Sequence, residues 1–279
     1  MAMLLLACDC LTDFEVATVD HGLRPEAADE CALVERVCAQ KGVDCTTLTI
    51  TVQPGNTQAN ARKARYAALG AWAAERGVAA ILTAHHADDQ AETLLMRLNR
   101  GSGLGGLAAI RASTMIAPCP VPVLRPLLAI RRIELAERLA SSGITAAQDP
   151  SNLDETYDRV RVRKGLADAG WLDVVALARS ARLLAEADAT LTAIAESHWR
   201  EASIGTEEVR VYTSELAEID ILLLQRGIAH FAGQASPADI ASLVSQKLTG
   251  PGMRANLGGV LIERIGQGYL LRREPPRRN

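Results

Sequence analysis

Aromatic side chains are scarce in this sequence: Phe, Trp and Tyr together make up 3% of its 279 residues. So few rings leave the core to aliphatic side chains and argue against π-stacking platforms for single-stranded nucleic acid. Long apolar runs are missing too, and none reaches the roughly 18 residues that a membrane-spanning helix needs. Neither sign of charge is in excess. Lys and Arg number 30 against 33 Asp and Glu, a formal net charge of −3, which gives no global signature of nucleic-acid binding. The six cysteines (Cys8, Cys10, Cys31, Cys38, Cys45 and Cys119) include no Cys-x-x-Cys pair and no Cys/His spacing suited to zinc. Cys31 and Cys38, seven apart, read as small buried hydrophobes on one helical face. Met1–Ala7 lacks the basic region of a secretory signal, so a reduced, cytoplasmic chain is expected.

What is present describes a soluble globular protein. Hydrophobic residues make up 48% and charged residues 23% of the chain, enough to bury a core. The length matches one large or two medium domains. An apolar helix is expected over Met1–Cys10 and a β-branched strand over Phe14–Val19, ending in the loop Asp20-His21-Gly22-Leu23-Arg24. A helix follows over Pro25–Lys41, closed by Gly42, then a strand over Asp44–Val52 and a helix over Thr57–Arg76, stopped by Gly77. Further strands are expected at Val78–Thr83 and Val121–Leu127, with helices at Gln90–Asn99 and Ala129–Ser142. This alternation predicts an α/β domain over residues 1–150 with a parallel, Rossmann-like sheet. Residues 151–279 read as a smaller, mainly helical domain that ends in a β-hairpin around Gly266-Gln267-Gly268.

In a parallel α/β sheet, ligands bind beyond the carboxyl ends of the strands. Two such ends are unusually polar here: Asp20–Arg24, and His85-His86-Ala87-Asp88-Asp89-Gln90-Ala91-Glu92-Thr93. The second opens a helix whose free N–H groups and dipole favour carboxylates. Capping accounts for one Asp but not for the whole cluster. A dinuclear metal site is the sharper alternative, yet no further His or acid cluster supplies its remaining ligands. Arg62, Lys63 and Arg65 read as a solvated helix face. Arg159, Arg161 and Arg163 alternate; on a strand all three share a face, and on a helix Arg159 and Arg163 pair at i, i+4. Three guanidiniums with so little acid nearby fit recognition of phosphate. From Gly250 to Asn279 six arginines face Glu263 and Glu274, either a phosphate-binding face or a solvated tail. Gly101–Gly106 follows a helix rather than a strand, so it reads as a flexible connection and not as a phosphate loop.

Together these residues resemble the tRNA(Ile)-lysidine synthetase family, whose nucleotide-binding domain is a PP-loop ATPase. The resemblance rests on Asp20-His21-Gly22-Leu23-Arg24, Asn60–Tyr66, Thr83–Thr93, Arg100-Gly101-Ser102-Gly103, Arg125-Pro126-Leu127-Leu128 and Asp149-Pro150-Ser151-Asn152, in family order. Two departures accompany it. Where the family commonly has Arg-Asn-x-x-Arg, this chain has Arg159-Val160-Arg161-Val162-Arg163. The family's Ser-Gly-Gly-x-Asp-Ser loop and the internal strand before it do not precede Met1–Ala7.

The resemblance implies ATP, with Mg²⁺, as cofactor, and tRNA(Ile) with a CAU anticodon and L-lysine as partners. A homodimer stays open, and no membrane is implied. Cytosine O2 would attack the α-phosphate of ATP and the lysine amine would then displace AMP at C2. Carried over by position, His85 and Asp89 act at the adenylation and lysine-attack site, and Arg62 and Arg163 neutralise phosphate charge. His21 and Arg24 border the nucleotide. Arg159, Arg161 and Lys164, with Arg254, Arg272 and Arg273, hold tRNA. A degenerate, non-catalytic tRNA-binding protein and a sulphur-transfer relative are the rival readings. The second is weakened by the missing Cys-x-x-Cys.

An internal strand left out of a sheet would strand backbone groups at about 1–3 kcal/mol each. A native N-terminal extension carrying the loop is therefore expected. The genomic frame upstream of Met1 tests this: an encoded Ser-Gly-Gly-x-Asp-Ser is the expected result, and an early stop codon without it overturns the expectation.

Overall fold

The computed structural model describes residues 1–22, 26–52, 57–144, 158–214 and 216–274. Contacts divide the chain into two units, the first Met1–Arg100 with Ala109–Arg182, the second Gly101–Ala108 with Leu183–Asn279. The division by packing thus falls at Arg182 rather than near residue 150. The glycine-rich segment expected as a connection is grouped with the second unit.

The first unit runs α1 (Ala2–Cys10), β1 (Val16–Asp20), α2 (Glu26–Lys41), β2 (Cys45–Thr49), α3 (Thr57–Arg76), β3 (Ile81–Leu82) and α4 (Ala87–Asn99). After α5 (Leu104–Leu107), of the second unit, come β4 (Ser113–Thr114), β5 (Val123–Leu124), α6 (Arg132–Ala140) and α7 (Asp158–Asp168). The helix α8 (Val174–Arg200) passes through the division. Gly42 and Gly77, expected as helix stops, take left-handed φ values of +67° and +66°, a conformation that side chains with a Cβ disfavour.

As expected for an α/β domain, the crossovers produce parallel pairs. β1 pairs with β2 in the register Val16↔Cys45 to Asp20↔Thr49, and β3 with β5 as Ile81↔Val123 and Leu82↔Leu124. β4 adds to β5 in the antiparallel sense. The two sheets share one core: Ala17, Val19 and Leu48 meet Ile81 and Val123 beneath Tyr66, Leu69, Trp72 and Ala73 of α3. β3 and β5 are shorter than the apolar runs that predicted them, because only two residues of each find ladder partners.

The second unit holds α5 together with β6 (Ser203–Ile204), β7 (Glu208–Tyr212), α9 (Ala217–His230), α10 (Pro237–Lys247), β8 (Arg254–Leu257), β9 (Val260–Ile265) and β10 (Gly268–Arg273). The expected hairpin is β9–β10. It belongs to a five-stranded antiparallel sheet of order β6-β7-β10-β9-β8, more strand than the sequence pattern predicts. Ile219, Leu223, Leu224 and Ile228 of α9 close over Val209, Val211, Ile262 and Leu271 of the sheet.

Inside this unit Asp220 is only 5% exposed. Its carboxylate accepts from the Thr213 hydroxyl (2.5 Å), the Ser214 N–H (2.9 Å) and hydroxyl (3.1 Å), and the Tyr269 hydroxyl (3.1 Å). Burial, and then the neighbouring Asp220 charge, push the Tyr269 phenol up to about 12. Removing the carboxylate orphans several donors at once, so Asp220→Ala should destabilise the protein by about 3 kcal/mol in thermal or urea unfolding.

Candidate active site

The site grows from the end of β3. The Thr83 N–H still donates to Leu124 O at 3.0 Å, so the chain stays beside β5 for one residue before turning into α4. His85 Nδ1 lies 3.0 Å from the Thr83 hydroxyl, which leaves Nε2 as the ring atom turned to other tasks. His86 is the residue before the helix, and its N–H donates to Asp89 Oδ2 at 3.0 Å. Asp89 therefore closes the first turn, the role that capping chemistry offers to one carboxylate at this position.

The neighbouring Asp88 does something different. Its Oδ2 accepts the Arg132 N–H at the start of α6 at 2.7 Å and lies 3.7 Å from Arg131 Nε. The Ala87 N–H donates to Ile130 O at 2.8 Å. Gln90, buried, grips the other flank. Its amide donates to Ile110 O and accepts the Ile110 N–H, both at 2.8 Å. The head of α4 is thus bolted on two sides.

Glu92 lies deepest, with a side chain 1% exposed. It accepts Arg159 Nε on one oxygen and Arg163 Nε on the other, each at 2.7 Å. Arg159 also donates to Asp89 Oδ1 at 2.6 Å. The hydrogen bond to Glu92 raises the Arg163 pKa above its ordinary value. Residues 158–168 are helical, so Arg159 and Arg163 share a face and Arg161 does not; Arg161 pairs with Asp158 instead.

Partly buried His85 is kept below its ordinary pKa, chiefly by burial. Asp89 acts in the opposite sense, while Arg125, Arg159 and Arg62 add to the lowering. The imidazole is thus held neutral beside several positive charges, which suits a site that takes in anions. Beside Asp88, Glu92 and Arg163 opens a cavity of about 550 Å³. Asp88, Glu92, Arg131, Arg132, Arg163 and Asp173 are its charged lining, and Leu166, Leu172 and Val174 are among its apolar lining.

The structure therefore gathers His85, Asp89, Arg159 and Arg163, with Arg62 near enough to act on His85. The Arg62 guanidinium lies over the Tyr66 ring, 5.0 Å from its centroid. His21 follows the end of β1, where the Gly22 N–H donates to Asp20 Oδ1 at 2.8 Å. Arg24 lies outside the described residues. Of the arginines expected on a tRNA face, Arg159 is turned to Asp89 and Glu92. Arg254 pairs with Glu263 (3.2 Å) and Arg272 with Glu208 (2.8 Å). Lys164 and Arg273 are exposed.

Sequence reasoning assigned no site role to Glu92, Gln90 or Arg125. Glu92 was findable, since it lies three residues after Asp89 and four after Asp88 and shares their helix face. Arg125 is 5% exposed. It donates to Arg111 O at 2.7 Å and to the Thr114 hydroxyl at 3.3 Å. A charged residue directly after an apolar strand was the signal available for it. Among the described residues no group of three metal-ligating side chains is gathered, and the His-His and Asp-Asp pairs are taken up as above.

A family model described as a PP-loop domain matches residues 1–169. The chain is 45% identical over 235 residues to the tRNA(Ile)-lysidine synthase of Novosphingobium aromaticivorans, covering 83% of this chain and 72% of that protein. It is 37% identical over 301 residues to the tRNA(Ile)-lysidine synthase of Zymomonas mobilis, covering 100% of this chain and 86% of that protein. Among solved structures it is similar to the U34-tRNA thiolase NcsA of Methanococcus maripaludis, with a TM-score of 0.54 and 16% identity over 66% of this chain and 68% of that one. That likeness is one of fold.

His85 also generates a pH dependence. Its folded-state pKa is lowered from 6.5, so the unfolded chain takes up the proton first as pH falls, and folding stability declines below about pH 6.5. In His85→Gln this contribution is absent. Unfolding measured from pH 7.5 downward should show the wild type losing stability relative to His85→Gln once pH drops below 6.5; parallel curves would contradict the neutral, buried imidazole.

Proposed function

The chain belongs to the tRNA(Ile)-lysidine synthase family and carries its PP-loop domain, and on that premise we propose that it uses ATP to join lysine to the anticodon wobble cytidine of an isoleucine tRNA. The observation that carries the reading is the cluster at the head of α4. There a neutral His85, the carboxylates Asp88, Asp89 and Glu92, and the guanidiniums Arg159 and Arg163 stand together beside a cavity of about 550 Å³.

Such a cluster can serve both halves of the reaction. In the first, cytosine O2 attacks the α-phosphate of ATP and pyrophosphate leaves. Arg62, Arg125 and Arg159, all acting on the space around His85, favour the negative charge of the nucleotide. In the second, the lysine amine attacks C2 and O2 departs with AMP. The amine must first lose its proton. Asp89 attracts and orients it, and His85 Nε2, on a ring kept neutral by burial, accepts the proton. His21 and Arg24 are assigned to the border of the nucleotide. The described residues form no metal cage of their own; Mg²⁺ held by the phosphates of ATP would neutralise charge there.

The cavity fits L-lysine by its chemistry. Arg131 and Arg132 are partners for a carboxylate, Asp88 and Asp173 for an ammonium, and Leu166, Leu172 and Val174 for an aliphatic stem. Arg161 and Lys164 project from α7 as exposed cations and are assigned to the tRNA backbone. No helix among the described residues is long and apolar enough to cross a membrane, and a cytoplasmic site of action is proposed, where tRNA is found.

The test is ATP-dependent incorporation of labelled lysine into a tRNA(Ile) transcript with a CAU anticodon. Asp89→Asn should lower incorporation at least a hundredfold, the scale of a lost acid–base group, while the chain stays folded by circular dichroism, the amide keeping the cap to the His86 N–H and weakening only the contact to Arg159. Wild-type turnover by Asp89→Asn would remove Asp89 from the chemistry, and ATP-dependent incorporation of another amine in place of lysine would overturn the substrate assignment.

A further inference from the structure

In a protein so poor in aromatics, the placement of Trp171 stands out. Of the three tryptophans, Trp72 and Trp199 are buried in the cores of their units, whereas Trp171 is 83% exposed. Burial of a side chain of this size is a large part of what it contributes to a fold, so the fold gains little from it where it stands.

The backbone that presents Trp171 is fixed on both sides. The Gly170 N–H donates to Asp168 O at 3.1 Å and the Leu172 N–H to Ala169 O at 2.9 Å. Asp173 then caps α8, its Oδ1 accepting the Val175 N–H at 2.7 Å and the Ala176 N–H at 3.3 Å. Ala169, Gly170, Leu172 and Asp173 all line the large cavity; Trp171, between them, faces solvent. Past the turn, Val175, Arg179 and Arg182 are exposed, and their i, i+4, i+7 spacing puts them on one face of α8. A flat ring on a pinned turn, followed along the helix by two guanidiniums, matches the two chemistries of an unpaired nucleotide. The base offers a π face and the backbone offers phosphates.

We infer that Trp171 is the stacking platform for an unpaired base of the RNA substrate, with Arg179 and Arg182 taking its phosphates. This rests on the tRNA reading above and adds to it a specificity element for single-stranded loops. Trp171 lies outside the cluster that does the chemistry.

The experiment uses the full chain with two probes: an RNA hairpin whose unpaired loop contains CAU, and a fully paired duplex of the same stem. Trp171→Ala should weaken hairpin binding about tenfold, the scale of one lost base stack, and leave duplex binding and the melting temperature unchanged. Trp171→Phe should retain most of the affinity. Indole emission of the wild type should be quenched by the hairpin, and the quench should vanish in Trp171→Phe, because the other two tryptophans are buried. Equal hairpin affinity for wild type and Trp171→Ala overturns the inference while leaving the tRNA reading intact. A wild type that binds neither RNA overturns both. Quenching by anionic phospholipid vesicles but not by the hairpin overturns it in favour of a lipid surface.

Discussion

The carboxylate of Glu92 and the two guanidiniums that hold it are the constraint on which the candidate site depends. Withdrawing a carboxylate from water costs several kcal/mol, offset only when partners occupy its lone pairs with good geometry. Arg159 and Arg163 supply that geometry, one on each oxygen. The consequence reaches beyond the pair. α7 has no fully buried residue, and Leu166 is its only part packed into the small cluster formed by Ala87, Ala91, Val174 and Ala178. Charge rather than apolar area therefore sets where α7 lies against α4. Breaking such a pair leaves an uncompensated buried charge, about 3–5 kcal/mol, so the same interaction fixes both the helix and the site.

Around that centre every residue from His85 to Thr93 has a physical task. Ala87 and Ala91 are small because they face Val174 and Ala178. Asp88 and Gln90 fasten the neighbouring loops, and Asp89 closes the helix and engages Arg159. The Thr93 hydroxyl donates back to Asp89 O at 2.7 Å. A purely structural reading would assign capping to one Asp and decoration to the rest. The observed division of labour shows why several polar residues can crowd one helical turn without repelling one another: backbone N–H groups and guanidiniums meet every carboxylate, and Arg159 bridges Asp89 and Glu92.

The first unit was legible because local chemistry sets its elements. β-branched Val16–Val19, the stops at Gly42 and Gly77 and the Ala-rich run of α3 each act within a few residues. What Glu92 binds was not legible, because its partners lie 67 and 71 residues away, and no local pattern carries such a distance. The alternation of Arg159, Arg161 and Arg163 fitted a strand or a helix equally well, and only the helix pairs the first with the third. In the second unit, β6 and β8 escaped notice because Ser203–Ile204 and Arg254–Leu257 are short and lack a clear period of two. Their place is set by neighbours in the sheet, with Ala255 opposite Ile262 and Ile204 opposite Val209.

Composition counts residues without locating them. An aromatic content of 3% excludes a groove paved with stacked bases, yet one ring suffices for one base if its backbone is held and its face is free. Held, it loses little conformational freedom on binding, which is the larger part of what a flexible contact forfeits. The same distinction applies to charge. A net charge of −3 hides a local concentration of arginines: Arg62, Arg125 and Arg159 act together to lower the pKa of His85, and Arg131, Arg132 and Arg163 line the cavity. Affinity for polyanions depends on such local fields, which act within about a Debye length of 8–10 Å, and a sum over the whole chain does not report them.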